Sequence, residues 1–115
     1  MAAVVTLKQN YEFRRLYAKG KSAVTPFLVV YRSKNRRRVG RVGFTVSSKL
    51  GKAVVRNRVR RRLREIYRLH LGELKPGVDM VVVARTRAVT ADYRKLERAF
   101  LSACAQLSLL REAEA

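Results

Sequence analysis

Between Ala53 and Arg68 the chain reads AVVRNRVRRRLREIYR, with seven arginines and one acidic residue in sixteen positions. At 100° per residue Val55, Val59, Leu63 and Ile66 fall within an arc of about 80°, which predicts an amphipathic helix burying one narrow stripe. Arg58, Arg60, Arg61, Arg64 and Arg68, with Asn57 and Glu65, fill the opposite arc, and Arg56 and Arg62 border the stripe. Any fold of this chain must dock the helix along that stripe and leave a nearly continuous guanidinium face outside. Like charges four residues apart repel by a few tenths of a kcal/mol per pair, and Arg56/Arg60, Arg58/Arg62, Arg60/Arg64 and Arg64/Arg68 all have this spacing. Lys52 and Arg56 also stand in the first turns, where the helix dipole disfavours cations. An anion docked on the face reverses both effects. A merely solvated face intersperses acids with bases, whereas Glu65 is the only acid in this helix.

The surplus of positive charge extends well beyond the helix. From Phe13 to Arg64 there are eighteen lysines and arginines and no Asp or Glu, and the formal net charge of the chain is +19. Arginines outnumber lysines nineteen to eight, which favours the planar fork that grips phosphate at two points. A polyanion, nucleic acid before a membrane surface, is the expected partner. No apolar run is long enough to span a bilayer, and MAAVVTLKQN lacks the basic start and long apolar stretch of a signal peptide, so a cytoplasmic location is expected.

At 115 residues the chain has the length of one domain. Asn10 is placed to cap a short helix, YEFRRLYAKG, with Glu12 in its first turn and Gly20 at its stop. Phe13, Leu16 and Tyr17 share one of its faces. FLVVYR from Phe27 and RVGFTVSS from Arg41 have strand character and predict a hairpin across the basic loop SKNRRRVG, with a short extra strand near Lys21–Val24. In the second strand Val42, Phe44 and Val46 alternate with Gly43, Thr45 and Ser47, so one face is small and polar and suits a closely approaching ligand. Gly51 breaks the chain before the arginine helix, and the turn GELKPGVD follows it. DMVVVARTR is apolar on both parities, as in an interior strand. Thr90 is placed to cap a last helix through about Leu110 that buries Leu96, Phe100, Ala103 and Leu107. The loop and the C-terminal REAEA are expected to be mobile without RNA. The fold class is α+β, a single-domain two-layer sandwich with a mixed sheet of three to four strands and three helices.

KAVVRNRVRRRLRE resembles the signature helix of the bacterial ribonuclease P protein subunit: Arg-Asn-Arg, an apolar residue, Lys/Arg-Arg and, further on, Arg-Glu. The resemblance covers nearly the whole chain, since NYEFRRLYAKGKS is similar to that family's opening helix and FLVVYR, RVGFTVSSKLG and DMVVVAR to its strands. It implies a left-handed strand-helix-strand crossover through the arginine helix, against the usual right-handed preference, in a fold shared with a domain of a ribosomal protein. It implies contacts with a catalytic RNA subunit through Arg56, Asn57, Arg58, Arg60, Arg61 and Arg64, with arginine at position 60 where the family often has lysine. It also implies a cleft for the 5′ leader of precursor tRNA lined by Phe13, Tyr17, Tyr31, Thr45 and Ser47. By spacing alone Phe13 and Tyr17 are ordinary core residues of a short helix; aromatics beside a basic track are equally the means by which proteins hold single-stranded RNA.

The residues offer no catalytic centre. A two-metal nuclease needs clustered carboxylates, and the eight acids show no evident cluster in sequence. Paired-imidazole RNA cleavage is excluded by the single His70, which reads as a packing or capping residue. Cys104 is alone, so there is no disulfide and no zinc spacing; it reads as a small core residue. The resemblance implies a holoenzyme in which the RNA subunit performs magnesium-dependent hydrolysis, with no metal or cofactor held by the protein alone and no protein partner. A non-catalytic ribosomal or structural RNA-binding protein of similar fold is the alternative, and a peripheral membrane binder, which would expose apolar residues opposite the basic face, is a third.

Overall fold

A computed structural model describes residues 4–111 as strand β1 (Val5–Thr6), helix α1 (Asn10–Lys19), strands β2 (Lys21–Val24), β3 (Leu28–Lys34) and β4 (Arg41–Thr45), helix α2 (Ala53–His70), strand β5 (Val78–Ala84) and helix α3 (Tyr93–Gln106). The expectation for the C-terminal tail therefore lies, from residue 112 on, outside the described residues.

The sheet has five strands in the order β1-β4-β5-β3-β2. β5 is central, parallel to β4 and antiparallel to β3, and β1 is parallel to β4. Its adjacent Val81 and Val82 are both buried, since they point to opposite faces and both faces are covered. The predicted β3–β4 hairpin does not form: β5 lies between the two strands and pairs with both. A strand apolar on both parities must be covered on both faces, and α1 on one side with α2 and α3 on the other supply that cover. The Lys21–Val24 strand is present and pairs antiparallel with β3, and the unforeseen β1 brings the sheet to five strands instead of three or four.

α2 and α3 pack on one face. Val59, Leu63, Ile66, Leu96 and Phe100 join Leu28, Val30, Val42, Met80 and Val82 in the main core. The predicted stripe of α2 is the buried one, with Val55 half-buried at its start and Tyr67 added at its edge. Leu96, Phe100, Ala103, Cys104 and Leu107 are buried, and apolar burial pushes the Cys104 thiol up to about 12.

α1 lies on the other face, with Leu16, Phe13 and Leu7 against Val81, Tyr31 and Val83. Its N-cap is Gln9 rather than Asn10. Glu12 reaches back to accept from the backbone N–H groups of Gln9 at 3.2 Å and Lys8 at 3.4 Å, the acidic half of a capping box. Gly20 ends the helix where a Cβ would stand 2.5 Å from the Leu16 carbonyl and 2.8 Å from that of Arg32. α3 begins later than expected: Asp92, not Thr90, is its N-cap and accepts from the Lys95 N–H at 2.9 Å. It also ends earlier, at Gln106, and Leu110 instead bridges to Leu74.

Candidate nucleic-acid interface

The strand register arranges the α1 face of the sheet in three rows. Arg41, Asp79 and Ser33 form the first, Gly43, Val81 and Tyr31 the second, and Thr45, Val83 and Val29 the third. α1 lies over the second row. A Cβ at Gly43 would sit 2.4 Å from the Phe13 ring, so the close approach expected over this strand is made by a side chain of the chain itself. One turn on, Tyr17 reaches the third row, where its hydroxyl and that of Thr45 share a hydrogen bond of 2.6 Å. Tyr17 also meets Tyr31 edge to face, with ring centroids 5.0 Å apart at 77°. Tyr17, Tyr31 and Thr45 are thus brought together, with Tyr17 40% exposed, and Phe13 packs beside them between α1 and Gly43. Ser47 lies two residues past Thr45, and its hydroxyl accepts from the Lys49 N–H at 3.2 Å to cap a single 3-10 turn at Ser48–Leu50. It stands beside the cluster without joining its hydrogen bond.

A three-residue ionic network, invisible in the sequence, moors α1. Arg41 Nε donates to Asp79 Oδ1 at 2.9 Å, Nη2 to Asp79 Oδ2 at 2.7 Å, and Nη1 pairs with Glu12 Oε2 at 2.6 Å. Burial alone would raise both carboxyls. For Glu12 the Gln9 and Lys8 amides and Arg41 outweigh it, and for Asp79 the hydrogen bonds of Arg41 and Asn35 do so, holding both below the ordinary range. These two carboxylates, 67 positions apart in sequence, are the nearest approach to an acidic pair on this face, and Arg41 occupies both.

The arginine face of α2 is directed away from the sheet. Arg58, Arg61 and Arg64 are exposed and, among the described residues, form no side-chain hydrogen bond or ion pair. Arg60 donates to the Asn57 side-chain oxygen at 3.3 Å and Arg56 to the Gly51 carbonyl at 3.2 Å, so the Arg-Asn-Arg segment is partly ordered in advance. Arg62 turns toward α3 and donates to the Ala91 carbonyl at 3.3 Å. At the N-terminus Lys52 provides no side-chain cap and the first turn holds no acid, which leaves its amides open to an anion.

His70 makes no side-chain cap, and its largely buried ring sits between α2 and α3. Its Nδ1 contacts Glu73 and its Nε2 contacts Glu97 of α3 at 2.8 Å. Each carboxylate can accept from a ring N–H, and together they favour the protonated imidazole. Desolvation opposes this, but the two carboxylates outweigh it and raise the His70 pKa. Among the described residues no group of three His, Cys, Asp or Glu is placed to hold a metal ion, and no helix is long and apolar enough to cross a membrane.

The family model for ribonuclease P matches residues 1–108. A protein of Natranaerobius thermophilus named ribonuclease P protein component is 42% identical over 112 residues, covering 97% of each chain. One of the same name from Alkaliphilus oremlandii is 42% identical over 98% of this chain and 99% of its own. The fold superposes on the RNase P protein of Staphylococcus aureus with a TM-score of 0.86 at 29% identity, covering 95% of this chain and all of that one. It superposes on that of Thermotoga maritima with a TM-score of 0.78 at 31% identity, over 84% and 92% respectively. By sequence over nearly its full length, and by a fold whose parallel β4 and β5 are joined through an arginine-faced α2, the chain belongs to the ribonuclease P protein family.

Proposed function

We propose that the chain is the protein subunit of the ribonucleoprotein that removes the 5′ leader from precursor tRNA. In this reading Arg56, Asn57, Arg58, Arg60, Arg61 and Arg64 bind the catalytic RNA, and the cleft beside Phe13, Tyr17, Tyr31, Thr45 and Ser47 receives the leader. The observation that carries it is the separation of the two surfaces. Aromatic side chains gather on one face of the sheet, and the helix bearing the unpaired arginines packs on the other. The first surface suits bases of a single strand, which stack on aromatic rings; the second suits the phosphates of a folded RNA.

Hydrolysis is assigned to the RNA subunit with its magnesium. The protein's carboxylates near the cleft are engaged by Arg41, and its imidazole is engaged between Glu73 and Glu97, in contacts that join elements of the fold. Its part is to raise affinity for substrate and thereby lower the magnesium needed, within the cytoplasm. The test mixes the purified chain with a bacterial ribonuclease P RNA and a precursor tRNA at low magnesium. Cleavage at the leader junction rises with added protein if the reading holds; an unchanged rate, as for a ribosomal protein of similar fold, overturns it.

A further inference from the structure

Along β4, residues 41, 43 and 45 face the same way, and α1 crosses at Gly43. Tyr17 and Thr45 occupy one side of that crossing. On the other side Arg41 and Asp79 floor a hollow of about 680 Å³, walled by α1 and by the end of β3 with the loop after it. Arg15, Lys34, Arg36 and Arg37 line this hollow, and among the described residues none of the four forms an ion pair. Its two carboxylates, Glu12 and Asp79, are already bound by Arg41 and leave the surrounding cations unneutralised. Tyr11 stands at its rim, 63% exposed.

The loop that carries two of these arginines, expected from its sequence to be mobile without RNA, is instead tied down by hydrogen bonds. Asn35 Nδ2 donates to Asp79 Oδ1 at 2.7 Å and to the Val39 carbonyl at 3.2 Å, its side-chain oxygen accepts from the Arg37 N–H at 2.8 Å, and its own N–H donates to the Gly77 carbonyl at 2.8 Å. The turn is therefore fixed to β5 before any ligand arrives, which lowers the ordering entropy of binding.

We propose that this hollow is a second single-strand site, with phosphates among Arg15, Lys34, Arg36 and Arg37 and a base against Tyr11, and that it takes a further stretch of the precursor leader. Unpaired cations around a concave floor beside an exposed aromatic match the chemistry of a single-stranded nucleic acid. The leader is the strand concerned because the hollow shares its sheet face and its helix with the Tyr17 cleft, while the α2 arginines pack behind the opposite face. The assignment rests on the reading of the Tyr17 cleft as a leader site.

The experiment measures holoenzyme affinity for precursors of increasing leader length, using wild type, the double variant Arg36→Glu/Arg37→Glu, Tyr11→Ala and Tyr17→Leu. All substituted side chains of the hollow are exposed, so the fold survives. With a short leader the double variant and Tyr11→Ala bind as wild type does. With a long leader wild type gains several-fold in affinity and these variants do not, and the slope of log K against log salt falls by about 0.7 per lost phosphate contact. Equal losses at every leader length, no loss at any, or weakened binding of the catalytic RNA alone each overturn the proposal. Tyr17→Leu reports separately: if it leaves short-leader binding intact, the reading of the cleft fails whatever the hollow does.

Discussion

The ring of Phe13 occupies the space above Gly43 that any larger residue would fill, at 2.4 Å from where a Cβ would stand. Glycine at 43 thus sets how closely α1 lies on the sheet, and with it the position of Tyr17 over Thr45. Gly43→Ala should push the ring aside and destabilise the protein by about 1–3 kcal/mol, the usual range for overpacking. In a Phe13→Leu background the same substitution should be milder, and a double-mutant cycle by denaturant unfolding measures the difference. Additive effects would mean that the ring does not rest on Gly43.

Arg58→Ala and Arg61→Ala together should weaken binding to the catalytic RNA and flatten the dependence of log K on log salt by somewhat under one unit per lost phosphate contact. Both residues are exposed and off the buried stripe, so the melting temperature should not fall. An unchanged salt slope would place the RNA elsewhere.

The α2 stripe and the interior character of β5 were legible because periodicity reports burial directly. The strand neighbours were not. Two strands in succession suggest a hairpin, and nothing in their own spacing shows that β5 pairs between them. Nor could spacing foresee that Arg41 joins Glu12 to Asp79, or that His70 meets Glu97, since these partners converge only when the sheet and helices assemble. The aromatic cluster was legible only in part. Phe13 and Tyr17 stand one turn apart on α1, but the Thr45 hydroxyl that fixes Tyr17 comes from a strand 28 residues away. Ser47 was grouped with Thr45 by alternation, yet the chain leaves the strand after Thr45 and uses Ser47 as a cap.

Sulfate or phosphate should raise the melting temperature more than chloride does at equal ionic strength. The α2 face holds exposed arginines, and the helix start has no side-chain cap and no acid in its first turn. A bound anion relieves both the repulsion and the adverse dipole, and binding to the native state alone is stabilising. Equal effects of the two salts would contradict this.

Stability should also fall as pH rises from the ordinary imidazole value, about 6.5, through the raised value of His70. The folded pKa of His70 is raised, so its contribution is complete below the ordinary imidazole value and is lost as pH climbs through the raised one. His70→Ala should abolish that part of the dependence. The acid side has the opposite sign: Glu12 and Asp79 are lowered, so their contribution is complete above the ordinary carboxylate range and is lost as pH falls through their folded values. Arg41→Ala, which leaves both carboxylates without their cation though still hydrogen-bonded to Gln9, Lys8 and Asn35, should destabilise by on the order of 3 kcal/mol at neutral pH and much less in acid. Chemical denaturation across pH for wild type and the two variants reads both effects.

The separation of leader binding from assembly is tested most directly by Tyr17→Leu, with holoenzyme affinity measured for precursor tRNA and for mature tRNA side by side. Leucine keeps apolar bulk but removes stacking, which is worth about 1–3 kcal/mol per base, and the hydroxyl bound to Thr45. The predicted result is a several-fold or greater loss for the precursor, with affinity for mature tRNA and for the catalytic RNA nearly unchanged. An equal loss for precursor and mature tRNA, or no loss for either, would contradict the account.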